Sequence, residues 1–184
     1  MRALHFIALF ALILVSGCAS TPKSSSYLAP TMGVYLLDSG DQVRLTVYGE
    51  EELSDEFRVD DSGQLSLPLV GSVHVRGLST KQAADKIVGL LAAGFIRDPD
   101  VAVEVVQYRP FYIQGAVSAS GQYPYVPGMT VRGAVSTAGG YEPTANESYA
   151  ILYRRTGEEI AKGKVALDFP VQPGDTVVIA ERWL

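Results

Sequence analysis

Short runs in which apolar and polar residues alternate make up most of this chain from Val34 onward. Such a run puts its apolar side chains on one face of a β-strand and its polar side chains on the other. Turns rich in Gly, Pro and Asp separate the runs, and two stretches with helical spacing interrupt them. The pattern predicts an α+β fold made of two small mixed αβ units.

The first unit is predicted to cover residues 34–107. Ser79 and Gln82 have the spacing of a capping box, so a helix is expected to begin after Ser79 and to end at Gly94. Its apolar face is expected to include Ala84, Ile87 and Leu91. The strands are predicted from alternating residues: Val43, Leu45 and Val47; Leu65, Leu67 and Leu69; Val73 and Val75; Val101, Val103 and Val105.

The second unit is predicted to cover residues 108–184. Strands are expected at Phe111 and Ile113 and through Tyr123 and Tyr125. A short helix with Val131, Ala134, Val135 and Ala138 on its apolar face is expected to end at Gly139-Gly140.

Each unit contains two short segments that are similar in sequence to segments of the other unit, and we call these similarities sequence echoes. Gly40-Asp41-Gln42-Val43 resembles Gly174-Asp175-Thr176-Val177. Val75-Arg76-Gly77-Leu78-Ser79 resembles Val126-Pro127-Gly128-Met129-Thr130, with a glycine turn, one apolar residue and a hydroxyl cap in each. The echoes agree with two αβ units of similar build.

The N-terminus has the features of a secretory signal. Residues 3–15 are apolar except for His5, and the segment is shorter than the ~20 residues that span a bilayer. It leads to Val15-Ser16-Gly17-Cys18, which resembles the lipobox of bacterial lipoproteins. That resemblance implies a signal peptide over residues 1–17 and an N-acyl, S-diacylglycerol cysteine at Cys18. The alternative is a buried free cysteine after ordinary signal cleavage.

The residues after Cys18 suggest a destination. In the Gram-negative lipoproteins that this segment resembles, an Asp directly after the lipidated cysteine marks retention at the inner membrane. This chain has Ala19 at that position, so the outer membrane is expected. Residues 18–33 are rich in Ser, Thr and Pro and are predicted to form a lipidated flexible tether.

Composition and spacing argue against several functions. With 15 Lys+Arg, 20 Asp+Glu and a net charge of −5, the chain lacks the clustered cations that bind nucleic acid. One Cys and two His are too few for an expected metal site, and no cofactor is expected. His74 and Glu50-Glu51-Glu52 are candidates for hydrolysis, but a surface histidine and a solvated loop explain them better. Asp60-Asp61-Ser62-Gly63 is better explained as a turn than as a calcium loop.

Several motifs resemble the family of outer-membrane polysaccharide export lipoproteins. Those of its polysaccharide export sequence domain are Leu37-Asp38-Ser39-Gly40-Asp41-Gln42-Val43, Val47-Tyr48-Gly49, Phe57-Arg58-Val59-Asp60, Gly63 to Gly71, Gly77-Leu78-Ser79 and Arg97-Asp98-Pro99. Those of its soluble ligand-binding β-grasp (SLBB) domain are Tyr112-Ile113-Gln114-Gly115-Ala116-Val117, Gly121, Tyr123-Pro124 and Ala138-Gly139-Gly140.

The resemblance implies a homo-oligomeric ring, anchored to the cell outer membrane and facing the periplasm. Capsular polysaccharide or exopolysaccharide would be its substrate, and an inner-membrane copolymerase and polymerase would be its partners. The expected role is transport and not catalysis. A monomeric periplasmic adaptor lipoprotein that binds glycan or a partner is the alternative, and an envelope hydrolase is a more distant one.

One feature departs from the larger members of that family, which end in a membrane-crossing helix. After Tyr141, the longest stretch without Gly or Pro is Thr144–Thr156, which is shorter than the ~20 residues needed. The sequence therefore predicts no helical pore: either the membrane part is a separate protein, or the ring docks on an unrelated outer-membrane channel.

Overall fold

The computed structural model describes residues 33–157 and 159–182. It has an α+β fold, so the predicted fold class is confirmed. The predicted signal peptide, Cys18 and all but the last residue of the tether lie outside the described residues. In the described ranges, no helix has both the length and the apolar character needed to cross a membrane.

The first unit contains a three-stranded sheet, a hairpin and one helix. In the sheet β1 is central, with β2 and β5 antiparallel on either side, and β3 and β4 form a separate antiparallel hairpin. A single 3-10 turn, Glu51–Leu53, follows β1. The elements are β1 (Gln42–Val47), β2 (Asp55–Arg58), β3 (Gln64–Leu67), β4 (Gly71–His74), α1 (Thr80–Ala92) and β5 (Val101–Gln107).

The core of the first unit follows the alternation in the sequence. Val43, Leu45 and Val47 are buried on one face of β1 and contribute to one hydrophobic cluster with the buried face of α1. Both bonds of the capping box form, because the Ser79 hydroxyl accepts from the Gln82 N–H and the Gln82 side chain accepts from the Ser79 N–H. The predicted helix and its apolar face are therefore confirmed.

Leu69 was predicted to extend the alternation of β3, and this prediction is wrong. β3 ends at Leu67, and Leu69 lies in the turn to β4 with φ 64° and 57% of its surface exposed. Pro68 has no N–H to add to the strand ladder, and the Val70 N–H bonds to the Pro68 carbonyl oxygen at 2.7 Å. The chain therefore turns directly after Pro68.

The second unit is built on a five-stranded mixed sheet in the order β7-β6-β10-β8-β9. β6 and β10 are parallel, and the other neighbours are antiparallel. Tyr125, predicted to lie on a strand, falls beyond the end of β7, because Pro124 interrupts the ladder. The elements are β6 (Phe111–Gly115), β7 (Gly121–Tyr123), α2 (Val131–Thr137), β8 (Ala150–Thr156), β9 (Glu159–Val165) and β10 (Thr176–Ile179).

One face of this sheet forms the second hydrophobic core. α2 contributes Val131, Ala134 and Val135 to that core, together with Phe111 and Ile113 of β6. The helix predicted from the spacing of these residues is confirmed. The alternate residues of each strand point away from α2 and are half-buried or exposed.

Candidate functional site: the junction between the two units

Two buried carboxylates, Asp41 and Asp175, occupy equivalent turns in the two units. Asp41 is 0% exposed and Asp175 is 1% exposed. Each closes a turn by donating its N–H to the residue three positions earlier, at 3.2 Å to Asp38 and 3.1 Å to Gln172. Each also uses Oδ2 to accept the N–H of that same residue, at 2.9 and 2.7 Å. The first sequence echo is therefore a repeated local structure.

The second echo is also a repeated structure. Leu78 and Met129 each donate an N–H to the carbonyl three residues earlier, at 3.0 and 3.2 Å. The hydroxyl residue that follows caps a helix in both units: Ser79 accepts from Gln82 and Thr130 accepts from Gly133. We call these segments the cap turns and the segments with the buried carboxylates the Gly-Asp turns.

In each unit the Gly-Asp turn is hydrogen-bonded to the cap turn. The Leu37 N–H donates to the Leu78 carbonyl at 2.9 Å, and the Val171 N–H donates to the Met129 carbonyl at 3.0 Å. The order along the chain is reversed, since the Gly-Asp turn precedes the helix in the first unit and follows it in the second. Both units therefore contain the same pair of hydrogen-bonded turns, but the two turns follow one another in opposite order along the chain.

Arg109 lies between the two Gly-Asp turns. Its backbone N–H donates to Asp41 Oδ1 at 2.8 Å, and its Nη1 lies 3.2 Å from Asp41 Oδ2. A Cβ added to Gly40 would come within 3.5 Å of Arg109 Cβ, and one added to Gly174 would come within 2.9 Å of Arg109 Nε. The Gly174 N–H also donates to the Pro110 carbonyl at 2.9 Å. The distance at Gly40 is an ordinary van der Waals contact, whereas at Gly174 the absence of a Cβ is what allows Arg109 to approach so closely.

Three tyrosine rings cross the junction. Tyr108 makes edge-to-face contacts with Tyr35 of the first unit, at 4.9 Å between centroids, and with Tyr125 of the second unit, at 5.4 Å. The Tyr35 hydroxyl donates to Asp41 Oδ2 at 2.6 Å and accepts from Arg109 Nη1 at 2.7 Å. Burial, followed by the hydrogen bond to Asp41, raises the pKa of Tyr35 far above its usual range. The ring is therefore held neutral.

Asp175 has a second arginine partner. The Arg154 Nε–H donates to Asp175 Oδ1 at 2.9 Å and the Nη2–H donates to Oδ2 at 2.7 Å, so the two side chains form a buried bidentate ion pair. Burial raises the pKa of the Asp175 carboxyl, and the hydrogen bonds and charge of Arg154 oppose that rise. The pair joins β8 to the turn before β10.

This arrangement is suited to fixing the geometry of the two units. The carboxylates are saturated by backbone and arginine donors, and neither His74 nor Glu50-Glu51-Glu52 is part of the junction. The junction joins the two units through a buried charge, hydrogen bonds and edge-to-face aromatic contacts. The relative orientation of the units is therefore determined by specific contacts as well as by chain connectivity.

The catalytic and metal candidates from the sequence are not brought together. His74 is exposed at the end of β4, and its carbonyl accepts from Lys86 Nζ at 2.9 Å. Glu50, Glu51 and Glu52 are exposed around the 3-10 turn. Asp60 Oδ1 accepts the N–H groups of Ser62 and Gln64, as expected of a turn. Among the described residues, no cluster of three or more His, Cys, Asp or Glu has the arrangement of a metal site.

Sequence reasoning missed Arg109, Tyr35 and Arg154. Their partners were signalled by the repeated Gly-Asp pair, but a buried carboxylate does not reveal from sequence which arginine will neutralise it. Arg109 is 68 positions from Asp41 and Arg154 is 21 positions from Asp175.

The fold and the junction define an αβ protein of two units in a fixed arrangement. Its first part, residues 29–106, matches the family described as polysaccharide biosynthesis/export protein. Residues 110–166 match the SLBB domain. The chain therefore contains a polysaccharide biosynthesis/export domain followed by an SLBB domain, as the sequence motifs predicted.

Two similar proteins have names related to polysaccharides. Over 96 residues the chain is 42% identical to the exopolysaccharide production protein ExoF of Rhizobium meliloti (strain 1021), an alignment that covers 51% of this chain and 23% of the relative. Over 159 residues it is 24% identical to the polysialic acid transport protein KpsD of Escherichia coli, covering 80% of this chain and 28% of the relative. The matched regions thus span about a quarter of the length of each of these relatives.

Proposed function

We propose that this chain is a non-enzymatic component of a polysaccharide exporter: a lipid-anchored subunit of a periplasmic ring through which capsular polysaccharide or exopolysaccharide leaves a Gram-negative cell. The observation that carries the proposal is the succession of a polysaccharide export domain and an SLBB domain in one chain. We assign the former to residues 34–107 and the latter to residues 108–184. The relatives named for exopolysaccharide production and polysialic acid transport agree with this role.

The anchor is Cys18, at the end of the signal peptide of residues 1–17. Several acyl chains on one cysteine give a stable anchor, because each buried CH₂ contributes ~0.8 kcal/mol and a single chain binds only marginally. The tether of residues 18–33 lets the folded units stand away from the membrane surface. Ala19 directs the protein to the outer membrane.

The passage for the polymer lies between subunits. Each unit has its own packed hydrophobic core, so neither can enclose a wide aqueous channel for a hydrated polymer. A closed ring of identical subunits provides such a channel at its centre. Ring closure requires every subunit to hold its two units at the same angle, and the contacts of Arg109 with Asp41 and Tyr35 serve that purpose.

An apolar tip on the first unit supports assembly with other proteins. Tyr48, Leu69 and Phe95 are 82%, 57% and 54% exposed. Tyr48 and Leu69 are next in sequence to Val47 and Val70, and the Phe95 N–H donates to the Leu91 carbonyl at 3.0 Å. Val47, Val70 and Leu91 all line one small apolar cleft. Exposed apolar groups gathered at one end of a domain are typical of protein contact surfaces. Identical subunits and the inner-membrane copolymerase and polymerase are the proposed partners, and a separate outer-membrane channel completes the path.

The mass of the untagged, lipid-free mature form tests the ring. A discrete assembly of many subunits is expected, and it should persist on dilution if the ring is the working state. A mass of one subunit at all concentrations would contradict the ring and favour the monomeric adaptor. An assembly with a continuous range of sizes would indicate aggregation through the apolar tip and would also contradict it.

A further inference from the structure

The second face of the five-stranded sheet, which we call the open face, carries the outward side chains of β6 to β10. The strand register places Gln122, Tyr112, Thr176, Tyr153 and Lys162 in one row across all five strands. Tyr112 is 44% exposed, whereas Thr176 and Tyr153 are half-buried. The row is therefore a polar and aromatic track across the whole sheet.

The open face is cationic at one end. Lys162 and Lys164 on β9 and Arg155 on β8 all point outward, because Tyr153, Ile151 and Ile160 are their cross-strand partners and the buried side chains lie at the intervening positions. Among the described outward positions of the five strands there is no Asp or Glu. In the part of the chain that the structure describes, none of the three cations forms a salt bridge with a carboxylate.

This local charge runs against that of the whole chain, which is −5. Unpaired cations on one face of an acidic protein attract anionic ligands and repel other cations. The face is thus complementary in charge to a ligand with several negative groups.

Aromatic rings lie directly beside the lysines. Lys164 Nζ is 3.6 Å from the centroid of the Tyr149 ring, and Lys162 Nζ is 5.2 Å from the centroid of the Tyr153 ring. Such contacts at exposed sites are weak, so they orient the ammonium groups but do not neutralise them. The same face offers the Thr176 hydroxyl and the Gln114 side-chain amide as hydrogen-bonding groups.

We propose that the open face binds an anionic glycan chain, with uronate-type carboxylates at Arg155, Lys162 and Lys164 and sugar rings along the tyrosines. This inference rests on the proposed function, because it takes the exported polysaccharide as the ligand and adds that the polymer is acidic. The row of hydroxyl and amide groups across all five strands suits a ligand with many hydroxyl groups better than it suits a lipid surface, which needs several exposed apolar side chains for insertion. On this face Ile160 is 61% exposed, whereas Ile151 and Val178 are half-buried.

Affinity electrophoresis of the full chain in detergent micelles tests the proposal, with polygalacturonate or uncharged dextran in the gel. We expect polygalacturonate to retard the protein, dextran to have little effect, and added salt to weaken the retardation. Exposed ion pairs are individually weak, so the triple variant R155Q/K162Q/K164Q should bind polygalacturonate about tenfold less tightly.

A matched variant controls for net charge. R58Q/K86Q/R97Q changes three exposed cations of the first unit and should bind polygalacturonate as the unchanged protein does. Equal losses in the two variants, equal binding of dextran and polygalacturonate, or no binding to polygalacturonate by the unchanged protein would each overturn the proposal. Two other occupants are separate outcomes that overturn it: stronger binding to phosphatidylglycerol vesicles than to polygalacturonate, or a triple variant that loses self-association while it keeps glycan binding.

The export assay separates this inference from the proposed function. If deletion of the gene stops export but the open face binds no polyanion, only the assignment of an acidic ligand to this face fails. If deletion leaves export normal, the proposed function fails, whatever polygalacturonate does in the gel.

Discussion

At Gly174 the absence of a side chain lets Arg109 pass close to the second Gly-Asp turn. A Cβ there would lie 2.9 Å from Arg109 Nε, and the residue has φ +84°. Arg109 cannot simply move away, because it is bonded to Asp41 and Tyr35. The position therefore links backbone conformation in the second unit to the salt bridge that Arg109 forms with Asp41 of the first unit.

Gly174→Ala should lower the free energy of unfolding by about 1–2 kcal/mol from the positive φ, with a further loss from the contact with Arg109. Gly128→Ala is a matched control, because φ is +82° there and no atom lies within 4 Å of the added Cβ. Urea unfolding measures both. Equal losses would contradict the close approach, and combining Gly174→Ala with Arg109→Ala should remove the excess loss.

The raised pKa of Tyr35 predicts that the free energy of unfolding falls at alkaline pH. Its pKa is raised in the folded state, so the folded ring stays neutral while the unfolded ring ionises above its ordinary value of 10.0. Its contribution to stability is therefore complete below pH 10 and is lost as the pH rises above it. Above pH 10, Tyr35→Phe should reduce the fall in unfolding free energy by about 1.4 kcal/mol per pH unit.

Burial also raises the pKa values of Tyr125 and Tyr141, so these residues make stability fall with rising pH in the same way. Only the difference in unfolding free energy between the unchanged protein and Tyr35→Phe therefore reports on Tyr35. Urea unfolding at several pH values from 9 to 11 supplies that difference. Parallel curves for the two proteins would show that Tyr35 is not held neutral.

Among the secondary-structure elements, α1 was the easiest to predict and β9 the hardest. The capping box at Ser79 and the spacing of Ala84, Ile87 and Leu91 contain the start and the buried face of α1 in a few neighbouring residues. β9 contains two lysines and a glycine, and its outward residues face solvent, so its alternation is weak. The parallel pairing of β10 with β6 joins segments about 60 positions apart and is a property of tertiary packing.

The candidate site was not predicted from the sequence, for a similar reason. The Gly-Asp echo pairs the two positions whose carboxylates are buried, because a turn followed by a strand is a local pattern, but it does not indicate burial. The junction itself depends on Tyr35, Arg109 and Tyr125, which are distant in sequence and have no shared spacing. Burial of a charge at 0% exposure implies a partner, but only the fold determines which arginine reaches it.

Ile87→Asp tests the packing of α1 against the sheet. Ile87 is 0% exposed, so an aspartate there should lower the free energy of unfolding by several kcal/mol. If the aspartate stays buried, its carboxyl should remain neutral through a raised pKa. Leu90→Asp is the control on the same helix, since Leu90 is 38% exposed and should cost about 1 kcal/mol or less. Similar melting temperatures for the two variants would contradict the buried face.

On the scale of the whole molecule, each of the two units is filled by its own hydrophobic core in the part of the chain that the structure describes. In the proposed function, transport of a polymer therefore depends on assembly and on position in the envelope. The lipid anchor and the ring are separate parts of this account, and each has its own test.

Cys18→Ser tests the anchor. The variant should appear as a soluble periplasmic protein or an unprocessed precursor and should take up no labelled palmitate, because the thiol that carries the lipid is gone. Fractionation of the envelope and palmitate labelling measure this. Outer-membrane recovery with continued labelling would show that Cys18 is not the attachment site.

Quantification of surface polysaccharide in a deletion strain tests the central claim most directly. If the chain is part of the conduit, the deletion should abolish surface polymer while repeat-unit synthesis remains intact, and the restored gene should restore export. The Cys18→Ser form should restore it poorly, because an unanchored subunit loses its high local concentration at the membrane. Near-normal surface polysaccharide in the deletion strain would contradict the conduit, and a partial loss would favour the adaptor.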